Sequence, residues 1–321
     1  MSEVISLGRV GVDLYSLDYD VPLKDVERFA KYVGGGAANL AVGLSRLGVR
    51  VGVVSGVADD ELGEFVIEYL SREKVDTRFI RRFPNSKTGL VFAEVYPGST
   101  NSKFIFYREN AADLKITAEL VDDAAVEKAK VLVTNGTALS ANPSREAALH
   151  AMRAAKEHER DVVFNLDWRP SLWGGVDEDS KLSYYASAVG LASVVIGNDA
   201  EYIAATSVPN ADDAVAQIQA MGDEDRLLIR TRGELGTRAY AKKGEPVVDA
   251  PPYRVTPLKT LGAGDGNLAG IIYGRLKGWD LYRTLRFGSA IGAIVVTKHS
   301  CSDAMPTYDE AMSFVEKMGG F

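Results

Sequence analysis

The 321-residue sequence has a single cysteine, Cys301, and only three histidines. One cysteine cannot form an intramolecular disulfide or a cysteine-based zinc cluster, and this usage fits a reducing cytosol. His150, His158 and His299 lie far apart in the sequence and match neither a metal-binding nor a triad spacing. Cysteine and histidine therefore give no indication of a metal or nucleophile site.

Long apolar runs and an excess of positive charge are also missing. No apolar run approaches the roughly 20 residues that cross a bilayer, and residues 1–5 lack the pattern of a signal peptide. The net charge is −7, from 44 acidic and 37 basic residues. Such a surface repels nucleic acid and anionic lipid. We expect a cytoplasmic protein that binds neither nucleic acid nor membrane.

What the sequence does contain is an alternation of short β-rich apolar runs with segments of helical periodicity. The predicted strands lie at residues 4–7, 51–54, 131–133, 162–164, 194–196 and 227–229. The predicted helices lie at residues 38–47, 63–70, 144–155, 212–221, 268–276 and 281–296. Continuously apolar strands are typical of a parallel sheet that is covered on both faces. The alternation therefore predicts a doubly wound α/β fold.

Two stretches interrupt this alternation. Residues 12–32 contain strand-like pieces without a long helix, and residues 89–96 and 103–108 form a β-rich pair around a hairpin loop at residues 97–101. These strands either form a lid over the carboxyl ends of the sheet strands or extend the edge of the main sheet. We expect one compact unit, residues 1–321, with a lid formed by about residues 12–33 and 88–112.

The strongest local motif is Gly262-Ala263-Gly264-Asp265, which precedes a helical pattern. A turn of this kind directs backbone N–H groups at one point, and the helix dipole adds partial positive charge there. That point suits a phosphate or the charge that develops in phosphoryl transfer. Asp265 either takes the proton from an attacking hydroxyl or merely caps the helix.

A second glycine-rich segment runs from Gly34 to Asn39 and also precedes a helical pattern. Glycines such as Gly35 and Gly36 let the backbone approach a ligand closely. Asn39 can donate hydrogen bonds to a polyol and accept them from it. The alternative is a flexible turn that ends in a polar residue.

Two later segments are candidates for nucleotide binding. Asn198 and Glu201 follow a predicted strand and share a helix face, where they either hold Mg²⁺ through water or cap the helix. Thr231, Gly233 and Gly236 lie between two strand-like runs and suit contact with a nucleotide phosphate or ribose. Neither the dinucleotide fingerprint nor the P-loop motif occurs in the sequence.

These motifs occur in one chain in one order, and the combination resembles the ribokinase-like (PfkB) carbohydrate kinases over essentially the whole length. The resemblance implies a three-layer α/β/α sandwich with a mostly parallel central sheet, a small β-sheet lid and a homodimer through that lid. It also implies ATP as donor, with Gly264 in its site, and Mg²⁺ as cofactor. Asp265 would be the general base at the anion hole, and Asp13 with Asn39 would hold substrate hydroxyls.

Within the family, the branch that this sequence resembles most is the 5-dehydro-2-deoxygluconokinases of inositol breakdown, in segments such as residues 167–170 and 298–307. The implied substrate is a six-carbon keto acid that is phosphorylated at its terminal primary hydroxyl. A carboxylate needs a cationic partner, so Arg108 and Arg169 are assigned to the substrate, and the resemblance adds Tyr107. The alternatives are 2-keto-3-deoxygluconate kinase, fructokinase, ribokinase and a non-catalytic sugar-binding regulatory protein.

Two positions depart from the family pattern. Most members have Asp where this chain has Lys259, and that Asp helps to form a monovalent-cation site beside the anion hole. We predict that the ammonium of Lys259 replaces bound K⁺, so that activity has no K⁺ requirement. The second departure is Asn165-Leu166-Asp167, where many relatives read Asp-Pro-Asn, and it leaves the role of Asp167 open.

Overall fold

Strands and helices alternate in the computed structural model, which describes residues 1–99, 103–221, 226–240 and 247–321. The strands are β1 (Val4–Leu7), β2 (Gly11–Ser16), β3 (Phe29–Gly34), β4 (Val51–Ala58), β5 (Ile80–Phe83), β6 (Gly89–Ala93), β7 (Phe104–Tyr107), β8 (Val131–Asn135), β9 (Asp161–Asn165), β10 (Val194–Asn198), β11 (Leu227–Thr231), β12 (Thr237–Tyr240) and β13 (Val248–Ala250). The helices are α1 (Gly36–Arg46), α2 (Glu61–Arg72), α3 (Asp123–Lys128), α4 (Ser144–Glu157), α5 (Glu178–Leu191), α6 (Asp199–Thr206), α7 (Ala211–Ala220), α8 (Ala263–Leu276), α9 (Leu281–Val296) and α10 (Tyr308–Lys317). Each core strand and each helix predicted from the sequence is present.

The central sheet has nine strands in the order β13-β12-β11-β10-β9-β8-β1-β4-β5. Neighbours from β5 to β11 are parallel, and only β12 and β13 at one edge join antiparallel. Successive residues of a strand face opposite sides of a sheet. Val4 and Ile5 are successive residues of β1 and therefore face opposite sides. Val4 packs in a core with α1, α2 and α8–α10, while Ile5 packs in a second core with α3–α7. The predicted three-layer α/β/α sandwich is confirmed.

The lid is a separate four-stranded sheet in the order β3-β2-β6-β7. Its outer pairs are antiparallel, and β2 and β6 are parallel. Because β2 begins just after β1 ends, the lid stands at the carboxyl ends of the central strands. The alternative, that these strands extend the edge of the main sheet, is wrong. Thr100 and Asn101 of the predicted hairpin loop lie outside the described residues.

Helix α8 is held tightly between α1 and α9. A Cβ on Gly270 would lie 2.6 Å from the Cα of Gly288 on α9, so glycine lets the two backbones touch. On its other side, a Cβ on Gly43 of α1 would lie 3.0 Å from the Cβ of Ala269. Close packing of α1 against α8 brings the two glycine-rich motifs, at the starts of these helices, to one place. In the described ranges, no helix has the length and hydropathy to span a membrane.

Candidate active site

A cavity lies between the lid and the carboxyl ends of the central strands. Its wall combines residues that follow β1, β8 and β9, side chains from the inner face of the lid, and the segments that open α1 and α8. The lining residues are Arg9, Asp13, Tyr15, Gly35, Gly36, Asn39, Val91, Phe104, Phe106, Thr137, Asp167, Arg169, Leu261, Gly262, Asp265 and Cys301. The structure thus brings together most of the residues that the sequence assigned to the sugar and to catalysis.

Asp265 lies in the first turn of α8, with its carboxylate at the cavity wall. Asn39 donates from Nδ2 to its Oδ2 at 2.8 Å, and a Cβ on Gly36 would lie 3.6 Å from its Oδ1. Removal of water from the carboxylate and, second, the negative charge of Asp167 raise the pKa of Asp265 to about 7, although the hydrogen bond from Asn39 opposes the rise. A carboxylate with this pKa is well suited to accept a proton near neutral pH.

The turn before Asp265 exposes the N-terminus of α8 to the cavity. Gly262 has a φ of +84°, and a Cβ there would lie 2.5 Å from Sγ of Cys301, so only glycine fits. A Cβ on Gly264 would have nothing within 4 Å, which leaves open space in front of the turn. The first N–H groups of a helix have no acceptor within it, and Ala263 has only a long bond to Thr260 O at 3.4 Å. The geometry can accept an anion.

Asp13 and Arg9 form a buried ion pair in the same wall. Nη2 of Arg9 donates to Oδ1 of Asp13 at 3.1 Å, and the hydroxyl of Tyr15 lies 3.3 Å from Oδ2. Arg9 is a site residue that the sequence analysis missed. The available signal was its position, because it lies two residues after the end of the first predicted strand and therefore at the carboxyl edge of the sheet.

Asp167 and Arg169 form a second ion pair, after β9. Their side chains meet at 2.9 Å, and the charge of Asp167 raises the pKa of Arg169. Asp167 has a φ of +36°. A positive φ costs conformational energy for any residue other than glycine, and residues with such backbone strain cluster at functional sites. The guanidinium of Arg169 lies 5.9 Å from the ring centre of Phe104 in the lid. The structure therefore places Asp167 in the cavity wall, whereas the sequence left the role of this residue open.

Tyr107 and Arg108 lie outside the lining of this cavity. Tyr107 is 60% exposed on the outer face of the lid. Arg108 is buried, with Nε 2.9 Å from Oδ2 of Asp113 and Nη1 donating to Thr137 O and Ser140 Oγ at 2.9 Å. These contacts tie the lid to the loop after β8. The expected contact of this pair with substrate has no geometric support here, whereas Arg9 and Arg169 do line the cavity.

The predicted nucleotide residues lie at the ends of two neighbouring strands. Asn198 at the end of β10 pairs in register with Thr231 at the end of β11. Oγ1 of Thr231 donates to Gly197 O at 3.3 Å. Gly233 and Gly236 have φ values of +53° and +83° and bound the short 3-10 turn from β11 to β12. These residues share one edge of the sheet, next to the cavity wall at Asp167.

Asn198 and Glu201 cap α6 reciprocally. Glu201 N donates to Asn198 Oδ1 at 3.0 Å, and Asn198 N donates to Glu201 Oε2 at 2.8 Å. The helix-cap alternative is thus present in the structure. Burial and, second, the charge of Asp167 raise the pKa of Glu201 to about 7. The negative charges of Asp167 and Asp265 both raise the pKa of Glu201, and the positive charge of Arg169 opposes them.

The described residues of this site form no dedicated protein cage for a divalent metal. Among residues 1–99, 103–221, 226–240 and 247–321, no three Cys, His, Asp or Glu side chains cluster as metal ligands. Mg²⁺ commonly binds through one or two carboxylates, waters and substrate phosphates. The residues present fit a Mg²⁺ ion that arrives with a nucleotide and contacts Glu201 through water.

Lys259 is 1% exposed and lies behind the turn that opens α8. Its Nζ donates to Leu261 O at 2.6 Å, and Val295 O and Sγ of Cys301 lie 3.5 and 3.7 Å away. Burial raises the pKa of Cys301, although the ammonium of Lys259 opposes the rise. The side chain therefore places a buried positive charge among backbone carbonyls next to the proposed anion site.

Comparisons with known proteins agree with this geometry. Residues 1–308 match the model of the pfkB family carbohydrate kinase. The chain is 40% identical over 316 residues to a 5-dehydro-2-deoxygluconokinase from Shouchella clausii, which covers 98% of this chain and 96% of that protein. This length of match leaves no large segment of either protein without a counterpart.

Solved structures give the same result for the fold. A sugar kinase from Pyrococcus horikoshii in complex with ATP has a TM-score of 0.81 at 31% identity, covering 98% of this chain and 99% of that one. A protein assigned as ribokinase II from E. coli, in complex with ATP and Mg²⁺, has a TM-score of 0.87 at 23% identity, covering 99% and 100%. The second likeness concerns the fold alone.

Proposed function

This chain belongs to the PfkB family of carbohydrate kinases, and from this premise we propose that it phosphorylates the terminal primary hydroxyl of a sugar acid, 5-dehydro-2-deoxy-D-gluconate, with ATP. The observation that carries the proposal is the position of Asp265, whose carboxylate has a pKa of about 7 at the N-terminus of α8. The name of the curated relative supports the choice of substrate.

In the proposed reaction, Asp265 accepts the proton of the substrate hydroxyl as its oxygen attacks the γ-phosphorus of ATP. The bond from this phosphorus to the β,γ-bridging oxygen breaks, and ADP leaves with the electron pair. Charge on the transferred group is stabilised by the amides of Gly262, Ala263 and Gly264 together with the dipole of α8. The hydrogen bond from Asn39 orients the accepting carboxylate.

The sugar is held on the lid side of the cavity. Asp13 and Asn39 would bind its hydroxyls, and the backbone at Gly35 and Gly36 would come close to it. Arg169 supplies a positive charge in the same cavity, which supports an acid as substrate. The alternatives, 2-keto-3-deoxygluconate, fructose and ribose, are tested by the same assay.

The nucleotide would lie along the ends of β10 and β11. The residues at this edge that we assign to the nucleotide are Asn198, Thr231, Gly233 and Gly236. Gly264, which has open space in front of it, would contact the nucleotide at the transfer site. Bound Mg²⁺ would supply positive charge to the phosphates, and Glu201 is the side chain that would hold it through water. A dication there would also favour the ionised form of Glu201, whose pKa burial raises.

We further propose that the ammonium of Lys259 supplies, behind the anion site, the positive charge that a bound monovalent cation would otherwise supply. Its contacts to Leu261 O and Val295 O are of the kind that a bound K⁺ would make. Because this ammonium is part of the protein chain, the site needs no K⁺ from solution. Independence of K⁺ and a cytoplasmic location both stay predictions.

The outer face of the lid supports the expected homodimer. Ile105 and Tyr107 are 48% and 60% exposed, and their cross-strand neighbours Phe92 and Leu90 are only partly buried. Contiguous apolar surface of this kind is typical of protein interfaces. A second copy of this chain, packed lid to lid, is the occupant that we propose.

The decisive experiment is an assay of ADP formation with MgATP and a panel of acceptors. We expect 5-dehydro-2-deoxygluconate to give the highest kcat/KM, above 2-keto-3-deoxygluconate, fructose and ribose. A preference for a neutral sugar would redirect the proposal to that sugar. Binding of sugars without ADP formation from any acceptor would favour a non-catalytic sugar-binding protein.

A further inference from the structure

Arg9 has a buried donor that the fold does not use. The residue is 6% exposed, and its Nη2 is paired with Asp13. Its Nη1 is buried and has no hydrogen-bond partner among the residues that the structure describes. Buried N–H groups of a guanidinium are nearly always paired in native proteins, because an unpaired donor loses its hydration without compensation. An orphan donor in a cavity wall therefore points to a ligand that completes it.

The surroundings of Arg9 fix the side of the cavity on which this ligand would lie. Its guanidinium carbon is 5.4 Å from the ring centre of Phe106, and that of Arg169 is 5.9 Å from the ring centre of Phe104. Phe104 and Phe106 are two residues apart on β7 and therefore face the same side. The two arginines thus lie one after the other beneath a single lid strand.

The two arginines are not equivalent. Arg169 pairs with Asp167, and a Cβ on Gly36 would lie 3.9 Å from Oδ2 of Asp167 and 3.6 Å from Oδ1 of Asp265, so Arg169 belongs to the reacting end of the cavity. Nη1 of Arg9 instead lies at the base of the lid, where a Cβ on Gly11 would be 3.0 Å from it. A linear substrate with its reacting hydroxyl at Asp265 would extend its other end toward Arg9.

Resting on the proposed kinase function, we propose that the guanidinium of Arg9 binds the carboxylate of the sugar acid and sets the preference for an acid over a neutral sugar. Guanidinium is the side-chain group best matched to carboxylate. Oδ1 of Asp13 accepts a hydrogen bond from the guanidinium and holds it in place, and Oδ2 of Asp13 accepts one from the hydroxyl of Tyr15. A ligand of higher negative charge, such as a phosphate, is disfavoured by the carboxylate of Asp13.

The experiment compares two substrates on three variants. The substrates are 5-dehydro-2-deoxygluconate and its carboxamide, which keeps the shape and removes the charge. The variants are Arg9→Gln, Arg9→Lys and the control Arg108→Gln, which also removes a buried arginine paired with an aspartate. Each variant is first checked for folding by circular dichroism and for ATP binding by calorimetry.

For Arg9→Gln we expect kcat/KM for the acid to fall by about 100-fold, with a change of less than about 3-fold for the amide. Arg9→Lys keeps the charge but loses the guanidinium fork, so the acid-to-amide ratio should fall by about 10-fold. Arg108→Gln should leave this ratio at the wild-type value, whatever its effect on stability. If Arg9→Gln does not fold, the Arg9→Lys ratio decides alone.

Two failures are distinguishable. Wild-type enzyme that uses the amide as well as the acid would overturn both the sugar-acid proposal and the role of Arg9. Wild-type enzyme that prefers the acid, together with Arg9 variants that lose activity equally on both substrates, would overturn only the role of Arg9. In that case Arg9 merely holds Asp13 in position.

Discussion

Asn39 on α1 donates a hydrogen bond of 2.8 Å to Asp265 on α8, across 226 positions of sequence. This contact joins the two glycine-rich motifs into one site and orients the carboxylate that we propose as the base. Because α8 packs against α1 on one side and α9 on the other, small changes in helix packing should reach the reacting group.

Asp265→Asn should lower kcat by roughly 10²–10⁴-fold, because the amide keeps the shape but cannot accept the proton of the hydroxyl. Steady-state rates of ADP formation measure the effect. Binding of ATP and the melting temperature should change little, since the substitution replaces a group at the cavity wall. Near-normal turnover would remove Asp265 from the role of base.

The pH dependence of kcat/KM follows from the raised pKa of Asp265. The base acts when ionised, so kcat/KM should rise with pH and level off above about pH 7. Asp167→Asn removes a negative charge that raises this pKa, so its profile should move to lower pH. Asn39→Ala removes a hydrogen bond that lowers the pKa, so its profile should move to higher pH. Shifts in the same direction for both variants would contradict this assignment.

Replacement of the buried ammonium tests the cation proposal. Wild-type rates should be the same in potassium and in tetramethylammonium salts, because Lys259 already supplies the charge. Lys259→Asp restores the carboxylate that most of the family has, and activity of this variant should then depend on added K⁺. A strong K⁺ requirement of the wild-type enzyme would contradict the proposal.

The lid interface can be tested by the molar mass in solution. Ile105→Asp should convert a dimer to a monomer in light scattering, because a charge would be buried at the proposed interface. Tyr282→Asp on α9, where the tyrosine is 40% exposed and far from the lid strands in the sequence, is the matched control and should stay dimeric. A monomeric wild-type protein would contradict the interface.

Helix packing behind the site gives a stability prediction. Gly270→Ala should lower the free energy of unfolding by about 1–3 kcal/mol, because its methyl group would overlap the backbone of α9. Gly190→Ala on α5 has nothing within 4 Å of the new Cβ and should instead raise it by about 0.4–1 kcal/mol. Urea unfolding monitored by circular dichroism measures both. Equal effects would show that α8 and α9 can separate at little cost.

The fold could be predicted well from the sequence because its signals are local. Buried parallel strands are continuously apolar, and helices repeat apolar residues at a fixed spacing, so β1, β8 and α9 are visible without any contact information. The position of Asp265 in the first turn of α8 was visible for the same reason, since the turn and its helix are contiguous. The lid was recognised as β-rich, but only the structure shows that it forms a separate sheet.

What the sequence could not provide is pairing between distant side chains. Arg108 was expected at the substrate because a carboxylate needs a cationic partner, yet Asp113 and the loop after β8 occupy its guanidinium. Arg9 shows the opposite, because its neighbours along the chain do not reveal that its Nη1 is buried without a hydrogen-bond partner among the described residues. Both outcomes depend on which partner is near in space.

The most direct test of the central claim is the identity of the product. Wild-type enzyme is incubated with MgATP and 5-dehydro-2-deoxygluconate, and the product is examined by phosphorus and carbon NMR. We predict one phosphate ester at the terminal primary hydroxyl, formed in a one-to-one ratio with ADP. Recovery of the unmodified acid, or a phosphate on any other oxygen, would contradict the account.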